Sequence, residues 1–199
     1  MPQGRPSLSQ ATRDEFKQQV CEAALKIISD KGYTNLSFRV LAHAVKSSHM
    51  RILNYFQNKE TLICEVRDYA FGLFGSALTE AGSLADGPLT QLQYCGHAYF
   101  EFAHSNPDAF LVLFSGFEPG KGVNTENEQR AWQALYQPVC EAVEKQLIAG
   151  NPEVLTQVFW AAIHGVTILS LNGNLPEGVS AEAVLQATFS GLLDGHRAH

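Results

Sequence analysis

Residues 20–62 read VCEAALKIISDKGYTNLSFRVLAHAVKSSHMRILNYFQNKETL, and their pattern decides the fold. A long helical run ends at Asp30-Lys31-Gly32-Tyr33, where a glycine punctuates the pattern. A short helix over residues 37–45 follows. A step through Lys46-Ser47-Ser48 leads into a second short helix, His49-Met50-Arg51-Ile52-Leu53-Asn54-Tyr55-Phe56. Two short helices joined by a tight turn and braced by a longer one can present the second to the major groove of DNA.

The faces of that second helix follow from helical spacing. Ile52 and Phe56 are four apart and are expected to face the core. Ser48, His49, Met50, Arg51 and Asn54 are then expected to look outward. Arginine can grip guanine O6 and N7, and asparagine can pair with adenine N6 and N7. Ser48 and His49 can reach bases or phosphates, and Ser47 or Ser48 can cap the helix. Phosphates favour helix N-termini, where free N–H groups and the helix dipole attract anions. Ser37 opens the second helix of the chain, and Asn58 and Lys59 open the fourth. Thr34, Arg39, Lys46 and Tyr55 lie close by in sequence and complete the expected phosphate contacts. Arg5 and Arg13 sit on an N-terminal arm that could enter a minor groove.

Charge supports this division. The whole chain of 199 residues carries a formal net charge of −6. Residues 1–67 hold ten lysines and arginines against six acidic residues, and residues 68–199 hold four against fourteen. A basic end on an acidic body suits a protein that offers one face to phosphates. Hydrophobic residues make up 45% and charged residues 17%, the reverse of a disordered composition. Cys21, Cys64, Cys95 and Cys140 lack zinc spacing and give no disulfide framework, which points to a cytosolic setting. Residues 1–7 have no apolar core, so no signal peptide is expected. The longest apolar stretch, residues 158–171, includes His164 and is short for a membrane span. A soluble, cytoplasmic protein with no membrane partner is therefore expected.

Beyond residue 58 every long segment has helical period. Helices are expected over residues 59–81, with Gly72 and Gly75 loosening the middle, and over 89–104, 108–114, 126–149, 153–171 and 181–194. Residues 116–123, rich in glycine, form a loop. The expected class is all-α with about nine helices: a three-helix DNA-binding domain over residues 1–58 and a helical bundle over residues 59–199. Nine of the 12 phenylalanines lie beyond Asp68. Most must fill a helical core. A subset is expected to line an apolar ligand pocket, formed by Tyr99, Phe100, Phe102, Phe110, Phe114, Phe117, Trp132, Trp160 and His164.

The spacing of Ala23-Ala24-Leu25, Ile27-Ile28, Lys31-Gly32-Tyr33, Ser37, Leu41-Ala42, Ala44-Val45, Phe56, Asn58-Lys59-Glu60 and Leu62 resembles the TetR family of transcriptional regulators. Trp160-Ala161-Ala162-Ile163-His164-Gly165, preceded by Tyr99-Phe100-Glu101-Phe102-Ala103, is similar to the regulatory domain of its Trp-His-Gly branch. The resemblance implies a homodimer on a pseudo-palindromic duplex operator. It also implies a repressor released when a small apolar or aromatic ligand tilts the fourth helix and changes the spacing of the two readers. The last two helices would form the dimer interface, where Ala161, Ala162, Gly165, Ala187 and Gly191 permit close approach. The chain departs from the family at Lys46, where members usually carry glycine, at Ser47, usually a small apolar residue, and at Leu53, commonly a DNA-contacting tyrosine. Tyr55 matches another position that often touches DNA.

Two other readings compete. His97, Glu101 and His104 share a helical face and with His164 could hold a metal. A di-iron bundle needs two Glu-x-x-His motifs, and the sequence has one, Glu101 to His104. The other alternative is a helical small-molecule or metal-binding protein with weakened or absent DNA binding. No S-x-x-K, G-x-S-x-G or P-loop pattern is present, so no enzyme and no cofactor are expected.

Overall fold

Side-chain caps set where the helices begin. The computed structural model describes residues 10–114 and 125–198, and nine α-helices lie among them: α1 (Gln10–Lys31), α2 (Phe38–Ala44), α3 (His49–Phe56), α4 (Lys59–Gly82), α5 (Pro88–Ser105), α6 (Pro107–Phe114), α7 (Glu126–Glu144), α8 (Pro152–Leu171) and α9 (Ala181–Gly195). Ser37, Ser48, Thr125, Asn151 and Ser180 each accept from the backbone N–H three residues on. Asn58 Oδ1 does the same for Thr61 N at 2.8 Å. Each bond satisfies one of the four donors that a helix start leaves open. Proline begins α5, α6 and α8, where its missing N–H costs nothing. The expected all-α class is the observed one, with one isolated bridge between Ile148 and Arg197.

Three helices stop by the same device. The N–H of Ser47 donates to the Ala42 carbonyl (2.8 Å), that of Leu147 to Ala142 (2.9 Å) and that of Asn174 to Leu169 (2.9 Å). Each bond spans five residues and encloses a left-handed residue: Lys46 (φ 49°), Gln146 (φ 55°) and Gly173 (φ 64°). The stop at Gln146 shortens α7, which ends at Glu144 and not at residue 149 as its periodicity predicts. Ala149 N–H instead donates to the His196 carbonyl at 2.7 Å, tying the turn to the end of the chain.

The described residues divide into two units. The first comprises Met1–Ala70 with Leu111–Val123. In it α2 packs on α3 and on α1. Val20, Ala24, Leu36, Leu41, Ile52, Phe56, Leu62 and Ile63 are almost wholly buried. Lys17 and Glu65 form an ion pair at 3.0 Å, and Tyr69 donates to Glu22 at 2.9 Å. Both contacts latch the start of α4 to α1.

The second unit comprises Phe71–Phe110 and Asn124–His199. There α5 packs on α7 and α8, and α8 on α7 and α9. Gly75 does not loosen α4, which is one continuous helix. A β-carbon at Gly75 would come within 3.2 Å of the Ala131 backbone nitrogen, so the glycine permits close approach. Gly96 is tighter: a β-carbon there would fall 2.1 Å from the Phe189 ring. Pro138 lies inside α7 and has no N–H for the Ala134 carbonyl. Cys95 Sγ lies 3.5 Å from that carbonyl and 3.5 Å from the Leu78 carbonyl, so its single weak S–H donor faces both.

Candidate nucleic-acid interface and aromatic cluster

Successive side chains on α3 step round the axis by about 100°. Ile52 and Phe56, both fully buried, therefore fix every other direction on the helix. Met50, 60% exposed, and Asn54, also exposed, point directly away from them. Ser48 and His49 are exposed at the N-terminal end. The Ser48 hydroxyl accepts from Arg51 N–H at 3.2 Å, and the His49 ring stands edge-on to Phe38 of α2 at 6.1 Å.

Arg51 departs from its expected outward direction. Its guanidinium lies 3.8 Å above the ring of Phe16 on α1, and the residue is half-buried. Tyr55, one turn on, packs against the same ring at 4.9 Å. Arg51 and Tyr55 share a flank of α3 because they are four apart. Such a cation–aromatic contact contributes about 0.5–1 kcal/mol at an exposed site and more when desolvated.

The expected phosphate residues fall into two groups. Thr34, Ser37, Arg39, Lys46 and Asn58 are exposed. Tyr55 and Lys59 are half-buried. Lys59 Nζ donates to the Tyr33 carbonyl at 3.2 Å and sits 4.2 Å from the centre of the Tyr33 ring. It therefore ties the start of α4 to the turn after α1. Arg13 is exposed on α1, so it belongs to a helix and not to an arm, whereas Arg5 lies outside the described residues.

A second cluster forms within the other unit. Tyr99, fully buried, meets the rings of Phe74 (5.2 Å), Phe110 (5.8 Å) and His164 (6.2 Å). Phe102 packs on Phe74 at 5.2 Å, and Phe110 stacks on His164 at 5.9 Å. Trp160 Nε1–H donates to the Tyr99 hydroxyl at 3.3 Å. That oxygen lies 2.7 Å from His164 Nδ1. The indole is only a donor, so the Tyr99 oxygen accepts from it, and the Tyr99 hydroxyl and His164 Nδ1 share a hydrogen bond whose direction follows the His164 tautomer. Burial lowers the His164 pKa below its ordinary 6.5 and raises the Tyr99 phenol well above its ordinary 10. Both shifts keep the pair neutral.

The sequence-predicted pocket residues are thus only partly brought together. Tyr99, Phe102, Phe110, Trp160 and His164 converge. Phe100 is buried and its ring lies by His104 at 4.3 Å. Trp132 stacks on Tyr136 of its own helix at 5.7 Å. Phe114 is half-buried at the end of α6, and Phe117 lies outside the described residues. Phe74 joins the cluster without having been expected. Its signal was present: Phe71, Phe74 and Leu78 recur at helical spacing on α4.

The metal reading finds no support. No cluster of three metal-ligating side chains occurs among the described residues. His97 and Glu101 are exposed. His104 Nδ1 bonds the Phe100 carbonyl at 2.9 Å, and its Nε2 bonds Ser170 Oγ at 3.1 Å, so both ring nitrogens are engaged.

Residues 92–194 match the family model described as the tetracyclin repressor-like, C-terminal domain. The match covers more than half of the chain. The chain belongs to the TetR family of transcriptional regulators. Solved structures with this fold include a protein of unknown function from Rhodococcus sp. RHA1. It has a TM-score of 0.80 and 19% identity over 100% of both chains. A TetR family transcription regulator from Marinobacter aquaeolei VT8 has a TM-score of 0.77 and 20% identity, covering 96% of this chain and 100% of that one. A TetR-family transcriptional regulator from Haemophilus influenzae RD has a TM-score of 0.71 and 18% identity, covering 92% and 98%. At these identities the likeness is one of fold. A comparison with curated proteins gives no significant match.

Proposed function

We propose that this TetR-family regulator is a cytoplasmic homodimeric repressor. Residues 1–58 would bind duplex DNA through α3 and its flanks, and residues 59–199 would bind an apolar ligand and form the dimer. The observation that carries the DNA reading is the geometry of α3. Two buried anchors, Ile52 and Phe56, hold the opposite face of a short helix outward. Ser37, Arg39, Lys46 and Asn58 lie exposed beside it, where charge and helix starts favour phosphate.

The ligand reading is supported by the neutral Tyr99–His164–Trp160 chain set among Phe74, Phe102 and Phe110. Apolar walls with a few oriented polar groups are what small-molecule sites are made of. The helix α4 runs unbroken from Lys59 to Gly82 and belongs to both units. A ligand that shifts its tilt would change the spacing of the two readers, and half-sites one helical turn apart demand a fixed spacing.

Dimerisation is supported by α8. This helix is long and apolar enough to cross a membrane, with a mean hydropathy of 1.6, so the shorter stretch seen in the sequence understates it. Only a third of it is buried within the subunit. Ala161, Gly165, Ala187 and Gly191 are exposed and Ala162 is half-buried. A β-carbon at Gly165 or Gly191 would meet no atom within 4 Å. A second copy fits this face, because two-fold operators favour two-fold proteins.

The test is binding of the purified full-length protein to duplexes from around its own gene, followed across salt concentrations. Affinity is expected to fall steeply as salt rises, since each neutralised phosphate releases counterions. Arg39→Ala is expected to weaken binding to every sequence equally. Salt-insensitive binding, or none, would overturn the proposal.

A further inference from the structure

The partner's sequence class can be read from what α3 keeps outward and what it withdraws. This rests on the DNA-binding reading above. Met50 and Asn54 are four apart, point the same way and are exposed. Leu53, half-buried, lies on the flank between Met50 and the buried Phe56. The outward face therefore offers one amide beside one apolar side chain. Its one cation, Arg51, is drawn to the flank and stacked on Phe16 at 3.8 Å. His49 stands at the helix start beside Phe38.

We propose that α3 reads adenine·thymine pairs at the centre of each half-site. Asn54 donates from its amide nitrogen to adenine N7 and accepts from adenine N6. Met50 packs against the C5-methyl group of a neighbouring thymine, the apolar feature of the major groove. Arg51 positions α3 against α1 and leaves guanine unread. Guanine would present O6 to the Asn54 oxygen, acceptor against acceptor, and cytosine has no methyl for Met50. The same face thus disfavours G·C pairs as well as favouring A·T.

Selection of duplexes from a random library by the full-length protein tests this, followed by titration of the selected site with thymine replaced by uracil. The expected result is an A·T core in each half-site. One uracil position is expected to weaken the wild-type protein about fourfold, the effect of about one methyl group, and to leave Met50→Ala unchanged. Asn54→Ala is expected to lose its preference at a single pair. Both side chains are exposed, and thermal melts check that the variants fold. A selected core of G·C pairs whose preference vanishes in Arg51→Ala would overturn the inference and keep the DNA-binding function. Failure to enrich any duplex would overturn both.

Discussion

Lys46 holds φ at 49°, a left-handed value that costs an L-residue about 1–2 kcal/mol. The turn between α2 and α3 requires it, because the Ser47 to Ala42 bond closes only round a left-handed residue. Retaining lysine there suits a residue with a second task, since strain concentrates at functional sites. Lys46→Gly is expected to stabilise the protein by about 1 kcal/mol, a rise of roughly 2–4 °C in Tm. The same variant is expected to weaken binding to all duplexes alike. Calorimetry and DNA titration on one sample check both signs, and a fall in Tm would contradict the strain. His164 gives a second prediction at this scale. Burial lowers its folded pKa below 6.5, while the unfolded chain takes up a proton near that value. Below it the unfolded state binds more protons, so this contribution is present above pH 6.5 and lost as pH falls. His164→Gln is expected to melt with a shallower dependence on pH between 7.5 and 5.5 than the wild type. Identical dependences would contradict it. The turn at Lys46 was legible in the sequence, but its left-handed backbone was not, because this chain carries lysine where family members usually carry glycine. The withdrawal of Arg51 was not legible either, because it depends on Phe16, far away in sequence and adjacent only after folding.

Among the elements, periodicity and punctuation located each helix, and the caps at Ser37, Ser48 and Asn58 lie where polar residues precede apolar runs. The end of α7 was illegible because apolar periodicity continues through Leu147 and Ile148. A non-glycine residue, Gln146, breaks the helix, held there by the Leu147 to Ala142 bond. Packing of α5 against α9 was equally hidden, since Gly96 reveals nothing until Phe189 is seen on top of it. Gly96→Ala is expected to destabilise the protein by about 2–3 kcal/mol, the usual cost of overpacking. Denaturant unfolding measures it, and an unchanged midpoint would show that Phe189 can move aside. Cys95 is expected to resist thiol reagents until unfolding, because burial pushes its pKa up to about 11.

For the whole molecule, the sequence showed a basic end on an acidic body and an aromatic-rich remainder. It did not show which aromatics meet, because those contacts join α4, α5, α6 and α8. Nor did it show how much of α8 stays uncovered. That surface predicts an association. Gly165 is exposed and a β-carbon there meets no atom of its own subunit within 4 Å, so Gly165→Leu is expected to leave the monomer folded. It should nonetheless shift sedimentation from dimer to monomer. A variant that remains dimeric would place the interface elsewhere. The central claim is that α3 lies against base edges, and competition tests it most directly. A labelled duplex from the protein's own gene region is bound at moderate salt and challenged with about a hundredfold excess of random duplex, below the roughly thousandfold or larger gap between specific and non-specific sites. The account predicts that most of the labelled complex survives and that Asn54→Ala abolishes the advantage. Displacement in simple proportion to competitor concentration would contradict it.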